Sequence, residues 1–200
     1  MSRRIPPAAA RGAWVILILA VWEGTARFSG VSPLLLPPVS RVLSVFAGAV
    51  KDGSLFSMTA LSLGLIAAGI GIGCLLALLF SVAAYRFPAA DSLVDTLVVI
   101  LHPLPGIALF PLVILYVGIG YASIVVLIVH SVLWPMVTNL LTGFRSVPEI
   151  YRQIGANYEL SPGAFTRSIL VPASLPHIIA GLKIAWARAW RALISAEMIF

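Results

Sequence analysis

The chain has 200 residues, of which 60% are hydrophobic and only 10% are charged. Soluble domains carry about 25% charged residues, so this composition excludes a soluble protein and indicates a membrane protein. The formal net charge of +6 does not indicate nucleic-acid binding, because the basic residues are scattered between apolar segments.

Apolar segments follow one another along the chain, and about 20 helical residues suffice to cross roughly 30 Å of hydrocarbon. We predict a single all-α domain, a polytopic helix bundle, with spans at residues 13–30, 56–85, 93–118, 119–144 and 173–200. The first segment follows Arg3, Arg4 and Arg11, as the core of a signal peptide would. No A-x-A-like cleavage site comes after it, so we interpret it as a retained span.

The basic residues predict the orientation. If the N-terminus is cytoplasmic, alternation places Arg86 in one cytoplasmic loop and Arg145, Arg152 and Arg167 in the next, as the positive-inside rule requires. Residues 145–172 then form a cytoplasmic loop. Five spans would leave the apolar end at Phe200 outside, so we expect a sixth span to be missing from this sequence.

Between the first two predicted spans, a proline-rich stretch leads into an amphipathic pattern. Apolar residues recur there at helical intervals, at Val39, Val42, Leu43, Phe46 and Val50. This pattern predicts a helix that lies along the membrane surface in contact with lipid.

The second predicted span contains Gly69 and Gly73, which form a small-xxx-small pair. Such a pair lets another helix approach closely, so we expect tight helix packing at this point.

The third predicted span is interrupted by the sequence "HPLPGIALFP". Each proline removes a backbone donor, which is tolerable at membrane depth where the segment faces protein or a water-filled cavity. We therefore interpret His102, Pro103, Pro105 and Gly106 as part of a translocation pathway or hinge. A proline kink satisfied by neighbouring helices is the alternative. As lone intramembrane histidines, His102 and His130 are each expected to be hydrogen-bonded core residues and not ligands.

The fifth predicted span carries charges that are costly in lipid. Arg188, Arg191 and Ser195 lie at i, i+3 and i+7, on one helix face. We assign both arginines to the translocation pathway, which suggests a small anion as substrate. The alternative is that they reach toward the membrane interface or pair with an acid such as Glu197.

The predicted cytoplasmic loop has the pattern of two short helices. The S-x-x-E sequence from Ser146 to Glu149 predicts a capping box, and Ser161 followed by proline predicts a second cap. Ile150, Ile154 and Tyr158 share one helix face. Apolar side chains on a short exposed helix favour docking into a groove of another protein.

Here the sequence resembles the membrane permeases of bacterial ABC importers, whose loop signature reads E-A-A, three residues, G, nine residues, then I-x-L-P. Counting back from Ile169 and Pro172 places Glu159 at the glycine position and Gln153-Ile154-Gly155 at the E-A-A position. The alternative register, which matches Glu149 and Gly155, misplaces the proline by four residues. The segments "SPLLLPPVSRVL", "HPLPGIALFPLVILYVGIG", "LVPASLPHIIAGLKIAWARAW" and "ISAEMI" are similar to the branch that imports nitrate, sulfonates and taurine.

The resemblance implies a type I ABC importer transmembrane domain in the bacterial inner membrane. It implies a cytoplasmic ATPase dimer that binds ATP and Mg²⁺, a second permease copy and a periplasmic or lipid-anchored substrate-binding protein. The loop residues that the resemblance assigns to ATPase coupling are Arg152, Gln153, Ile154, Gly155, Tyr158, Glu159, Ser161 and Pro172. The sequence contains no G-x-x-x-x-G-K-[ST] phosphate loop, so we expect no cofactor in this chain.

Two other classes remain as alternatives. An ion-gradient-driven secondary transporter also uses broken helices and intramembrane charges, but no inverted repeat is evident. A membrane enzyme is disfavoured because the three histidines are far apart, and the single Cys74 excludes a disulfide framework and a zinc site. We expect neither catalytic residues nor a metal site.

Overall fold

The computed structural model describes residues 7–199, and the N-terminal Arg3 and Arg4 lie outside this range. Within it the chain is helical and contains no strand, which confirms the all-α prediction. The chain folds as two compact units, one within residues 7–60 and the other within residues 61–199.

The first unit contains α1 (Pro7–Phe28) and α2 (Val39–Lys51). Glu23 of α1 caps α2, because its carboxylate accepts hydrogen bonds from the backbone N–H (3.1 Å) and the hydroxyl (2.9 Å) of Ser40. The apolar face of α2 is exposed, as expected of a helix at the membrane surface. Beyond α2, hydrogen bonds from the side chain and the backbone N–H of Ser54 lower the pKa of the Asp52 carboxyl.

The next helices are α3 (Ser54–Arg86), α4 (Pro88–Leu101), α5 (Phe110–Val117) and α6 (Tyr121–Arg145). Between α4 and α5 the chain passes through a short 3₁₀ turn (Gly106–Leu109) and bends by 92°. The predicted break in the third span is therefore confirmed. Its physical basis is Pro103 and Pro105, which cannot donate the backbone hydrogen bonds that would continue α4.

After α6 come α7 (Glu149–Asn157), α8 (Pro162–Phe165), a wider π-helical turn (Thr166–Leu170) and α9 (Val171–Glu197). The last three form one continuous helix from Pro162 to Glu197, so the second loop helix is not a separate element. The wide turn accommodates Pro172, which has no N–H to donate to the preceding turn.

The two predicted caps have different outcomes. Ser161 caps α8, accepting a hydrogen bond from the N–H of Ala164 at 3.3 Å, as predicted. The capping box at Ser146 is wrong. The Ser146 hydroxyl donates back to the Gly143 carbonyl at 2.9 Å, and Pro148 occupies the N-cap position of α7 without a side-chain hydrogen bond.

Among residues 7–199, three helices are long and apolar enough to cross a membrane: α3, α6 and the continuous helix Pro162–Glu197. The bent pair formed by α4 and α5 is a fourth if it is counted as one span. Helix α1 is not among them, so the span at 13–30 stays a prediction.

Helix α6 lies at the centre of the second unit and packs against glycines of α3. A Cβ added to Gly69 would lie 2.4 Å from Cγ2 of Ile128, and one added to Gly73 would lie 2.9 Å from Cγ1 of Val132. The predicted close approach at this glycine pair is therefore confirmed.

Helix α9 packs along the other side of α6 through two more glycines. Gly143 of α6 lies against Ser174 and His177, and Gly181 of α9 lies against Met136 and Asn139. These contacts fix α9 closely beside α6, which determines where the polar face of α9 points.

Candidate functional site

A cavity of about 580 Å³ lies where the break between α4 and α5 meets α6 and α9. Its wall consists of His102, Pro103, Leu104, Pro105, Gly106 and Ile107 from the break, His130, Ser131 and Trp134 from α6, and Arg188, Arg191, Ala192 and Ser195 from α9. All six residues that the sequence assigns to the translocation pathway, His102, Pro103, Pro105, Gly106, Arg188 and Arg191, line this one cavity.

Sequence reasoning missed the contribution of α6. The sequence favours a core role for His130, whereas the structure places it on the cavity wall together with Ser131 and Trp134. The three residues lie at i, i+1 and i+4 and therefore share one side of the helix. This spacing could have predicted that the three residues line the cavity. However, the residues around them are also apolar, so the sequence does not indicate which face of α6 borders a cavity.

Hydrogen bonds inside the unit orient the two arginines. Nη2 of Arg188 donates to Nε2 of His102 at 3.2 Å, and Nε of Arg191 donates to the Ala187 carbonyl at 3.2 Å. The suggested pairing of Arg191 with Glu197 is not found among the described residues, and the Glu197 carboxylate accepts a hydrogen bond from Ser62 at 2.8 Å instead. In the described range, neither cavity arginine has a carboxylate partner.

The α6 wall is closely packed around its polar groups. A Cβ added to Gly106 would lie 2.7 Å from the Ser131 hydroxyl, so the glycine lets the break approach α6. Trp134 is 5% exposed, and its indole N–H has no acceptor among residues 7–199. A buried unpaired donor is costly, so an acceptor or water that reached it would stabilise this wall.

The cavity lies at mid-depth in the bundle. His130 is nine residues from the start of α6, which places it about 14 Å from that helix end at about 1.5 Å per residue, and Arg188 lines the same cavity. This is close to half of a hydrocarbon thickness of about 30 Å. The arrangement presents two guanidinium groups at a depth where unpaired charge is expensive.

The other candidate site is an exposed apolar patch on α7 and its C-cap residue Tyr158, which we call the loop surface: Ile150, Tyr151, Ile154 and Tyr158. Ile150 is 56% exposed and Tyr158 is 77% exposed. The face predicted for docking therefore points away from the rest of its own unit. Gln153 is also exposed, whereas Ser161 caps the helix that continues into α9 and Pro172 lies on that helix.

Two contacts, made by Arg152 and Gly155, hold α7 against the bundle. The guanidinium of half-buried Arg152 lies 5.6 Å from the ring centre of Tyr85, at the end of α3. Gly155 is buried, and a Cβ added to it would lie 2.6 Å from Cδ2 of Phe165. Both residues, assigned to ATPase coupling from the sequence, thus contact their own chain.

Glu159 adopts a left-handed backbone conformation with φ 49°. This region favours glycine, because the Cβ of other residues crowds the backbone there. Glu159 is the residue that the preferred register aligns with the glycine of the E-A-A signature. The backbone therefore favours that register over the one that matches Gly155.

The comparisons with known proteins agree with these features. The sequence profile described as "binding-protein-dependent transport system inner membrane component" matches residues 69–200. The chain is 30% identical over 191 residues to a putative ABC transporter permease protein of Methanocaldococcus jannaschii, covering 92% of this chain and 70% of the relative. It is 28% identical to the taurine transport system permease protein of Escherichia coli, covering 92% and 68%. It is 29% identical to a nitrate import permease protein of a Synechocystis species, covering 72% and 50%.

Proposed function

The chain belongs to the family of binding-protein-dependent transport system inner membrane components, the permeases of ABC importers, and we propose that it carries a small anion across the membrane at the expense of ATP. It is a multi-pass protein of the inner membrane and a transport subunit rather than an enzyme. The observation that carries the substrate proposal is the cavity lined by Arg188 and Arg191 at mid-depth.

The cavity serves as the passage for the substrate. Its guanidinium groups attract an anion and supply hydrogen-bond donors that replace water, which lowers the cost of bringing negative charge to this depth. Nitrate, sulfonates and taurine are the candidates that the similar permeases suggest. The bent pair α4 and α5 forms one wall, so a change in the bend would open or close the passage.

The loop surface couples the passage to ATP hydrolysis. Ile154 and Tyr158 insert into a groove of a cytoplasmic ATPase subunit, which holds ATP and Mg²⁺, and the remaining coupling residues position α7 for this contact. In support, α7 exposes its apolar side chains while Arg152 and Gly155 hold it against the bundle. Closure of an ATPase dimer would then move the loop and shift the permease between two conformations.

A second copy of the permease and a substrate-binding protein complete the proposed importer. The N-terminus lies in the cytoplasm, which places the loop surface on the side of the ATPase. In support of this orientation, Arg86 and Arg145 are the last residues of α3 and α6, and Arg152 lies on α7 itself.

Reconstitution tests the proposal. Proteoliposomes that contain the permease and its ATPase, supplied with the binding protein and ATP, are expected to accumulate labelled substrate, and a Walker-lysine variant of the ATPase is expected to abolish uptake. Uptake that persists with that variant and collapses when an ionophore removes the proton or sodium gradient would show a secondary transporter instead.

A further inference from the structure

The charged side chains that face the cavity are both arginines. Two guanidiniums line it, and among residues 7–199 no aspartate or glutamate does. A small oxyanion can accept hydrogen bonds from these arginines, because each guanidinium can donate two parallel hydrogen bonds to a pair of its oxygens.

The groups that accept hydrogen bonds from these arginines within the protein are already occupied. Nε2 of His102 accepts from Arg188, and the Ala187 carbonyl accepts from Arg191. The side chains left on the wall that can accept a further hydrogen bond are those of Ser131, Ser195 and His130, and none of them carries a negative charge.

An ammonium group would therefore be poorly accommodated. It brings three donors that need acceptors, and it must shed water to enter. It would also be repelled by two positive charges in a setting that screens charge less than water does.

From this juxtaposition we infer that the cavity discriminates against anions that carry an ammonium group: it takes a simple oxyanion such as nitrate or an alkanesulfonate and disfavours an aminosulfonate such as taurine. The inference rests on the proposed function and narrows its substrate class. It assigns selectivity to the permease itself, in addition to any selectivity of the binding protein.

Two sulfonates that differ at one group test this. Isethionate (2-hydroxyethanesulfonate) and taurine (2-aminoethanesulfonate) have the same chain length and the same sulfonate. Binding is measured by isothermal titration calorimetry on the permease in lipid nanodiscs, without the binding protein and at constant ionic strength. We expect taurine to bind at least about tenfold more weakly than isethionate, which corresponds to about 1.4 kcal/mol. Equal affinities would overturn the inference.

Substitutions on α9 test whether the cavity residues cause this difference in affinity. Arg188→Gln is expected to weaken isethionate binding about tenfold or more, since it removes a charge-assisted hydrogen bond, whereas Lys183→Gln, which removes a charge from α9 outside the cavity wall, is expected to leave it unchanged. Ser195→Asp places an acceptor beside Arg191 and is expected to shift the ratio of the two affinities toward taurine. An unchanged ratio in Ser195→Asp would contradict the inference, and the ratio does not depend on how much of the variant folds.

The same preparations separate this inference from the proposed function. ATP-dependent uptake with no preference between the two sulfonates would leave the proposed importer intact and overturn the selectivity. Failure of the ATPase to co-purify would contradict the proposed function, whatever the calorimetry shows.

Discussion

Arg188 and His102 meet across the cavity, with Nη2 of the arginine 3.2 Å from Nε2 of the histidine. Arg188 belongs to α9, and His102 is the residue that follows α4 immediately before the chain bends. The contact therefore joins the helix that continues into the loop to the broken span. Its position makes it the first interaction to test.

Arg188→Lys is expected to reduce uptake strongly although it keeps the charge, because a lysine ammonium lacks the planar fork of donors that can contact His102 and a substrate together. Vesicle uptake at matched permease levels measures the effect. His102→Ala should cause a similar loss, and the double variant should lose no more than either single variant if the two residues act as a pair. Additive losses would show that they act separately.

Truncation of both Ile154 and Tyr158 to alanine is expected to separate the permease from its ATPase. Interface anchors of this kind cost about 2 kcal/mol or more each when truncated. Co-purification of the ATPase, scored beside uptake, measures the outcome. Leu182→Ala, which truncates an exposed apolar side chain of α9, is the matched control and should retain the ATPase. If the double variant keeps both the ATPase and full uptake, the loop surface has no coupling role.

Glu159→Gly is expected to stabilise the loop by about 1 kcal/mol, because glycine adopts the left-handed conformation without the crowding that glutamate experiences. Hydrogen exchange of the loop amides in the purified permease measures this. Glu159→Ala is the control: it removes the same carboxylate but keeps the Cβ, and it should give no such protection. Equal protection in both variants would point to the charge and not to the backbone.

Gly69→Ala and Gly71→Ala, both on α3, are expected to have opposite effects. At Gly69 the added methyl group would lie 2.4 Å from Ile128 and must push the helices apart, at a typical cost of about 1–3 kcal/mol. At Gly71 nothing lies within 4 Å, so alanine should stabilise the helix slightly through its higher propensity. Thermal unfolding in detergent compares the two. A loss of stability at Gly71 that matches the loss at Gly69 would contradict the packing described for α3 and α6.

Sequence patterns predicted the features that depend on local chemistry. The bend after His102 follows from proline, and the close approach at Gly69 and Gly73 follows from the absence of side chains. The capping box failed because Ser146 still has a helical backbone as the C-cap of α6, so that α7 begins later, with Pro148 as its N-cap. The contribution of Ser131 and Trp134 to the cavity depends on how α6 is rotated between α3 and α9, and that rotation is decided by packing between residues distant in sequence.

Because no break interrupts the last helix between Pro162 and Glu197, a movement at its loop end can be transmitted along its length. Arg188 lies 26 residues beyond Pro162, or about 39 Å along the axis at about 1.5 Å per residue. If the helix moves as one rod in spite of its π-helical turn, a tilt of about 5° at the loop end displaces the far point by about 3 Å, by the same geometry. That displacement is as large as the separation of Arg188 and His102, so a small movement beneath the membrane would be enough to part them.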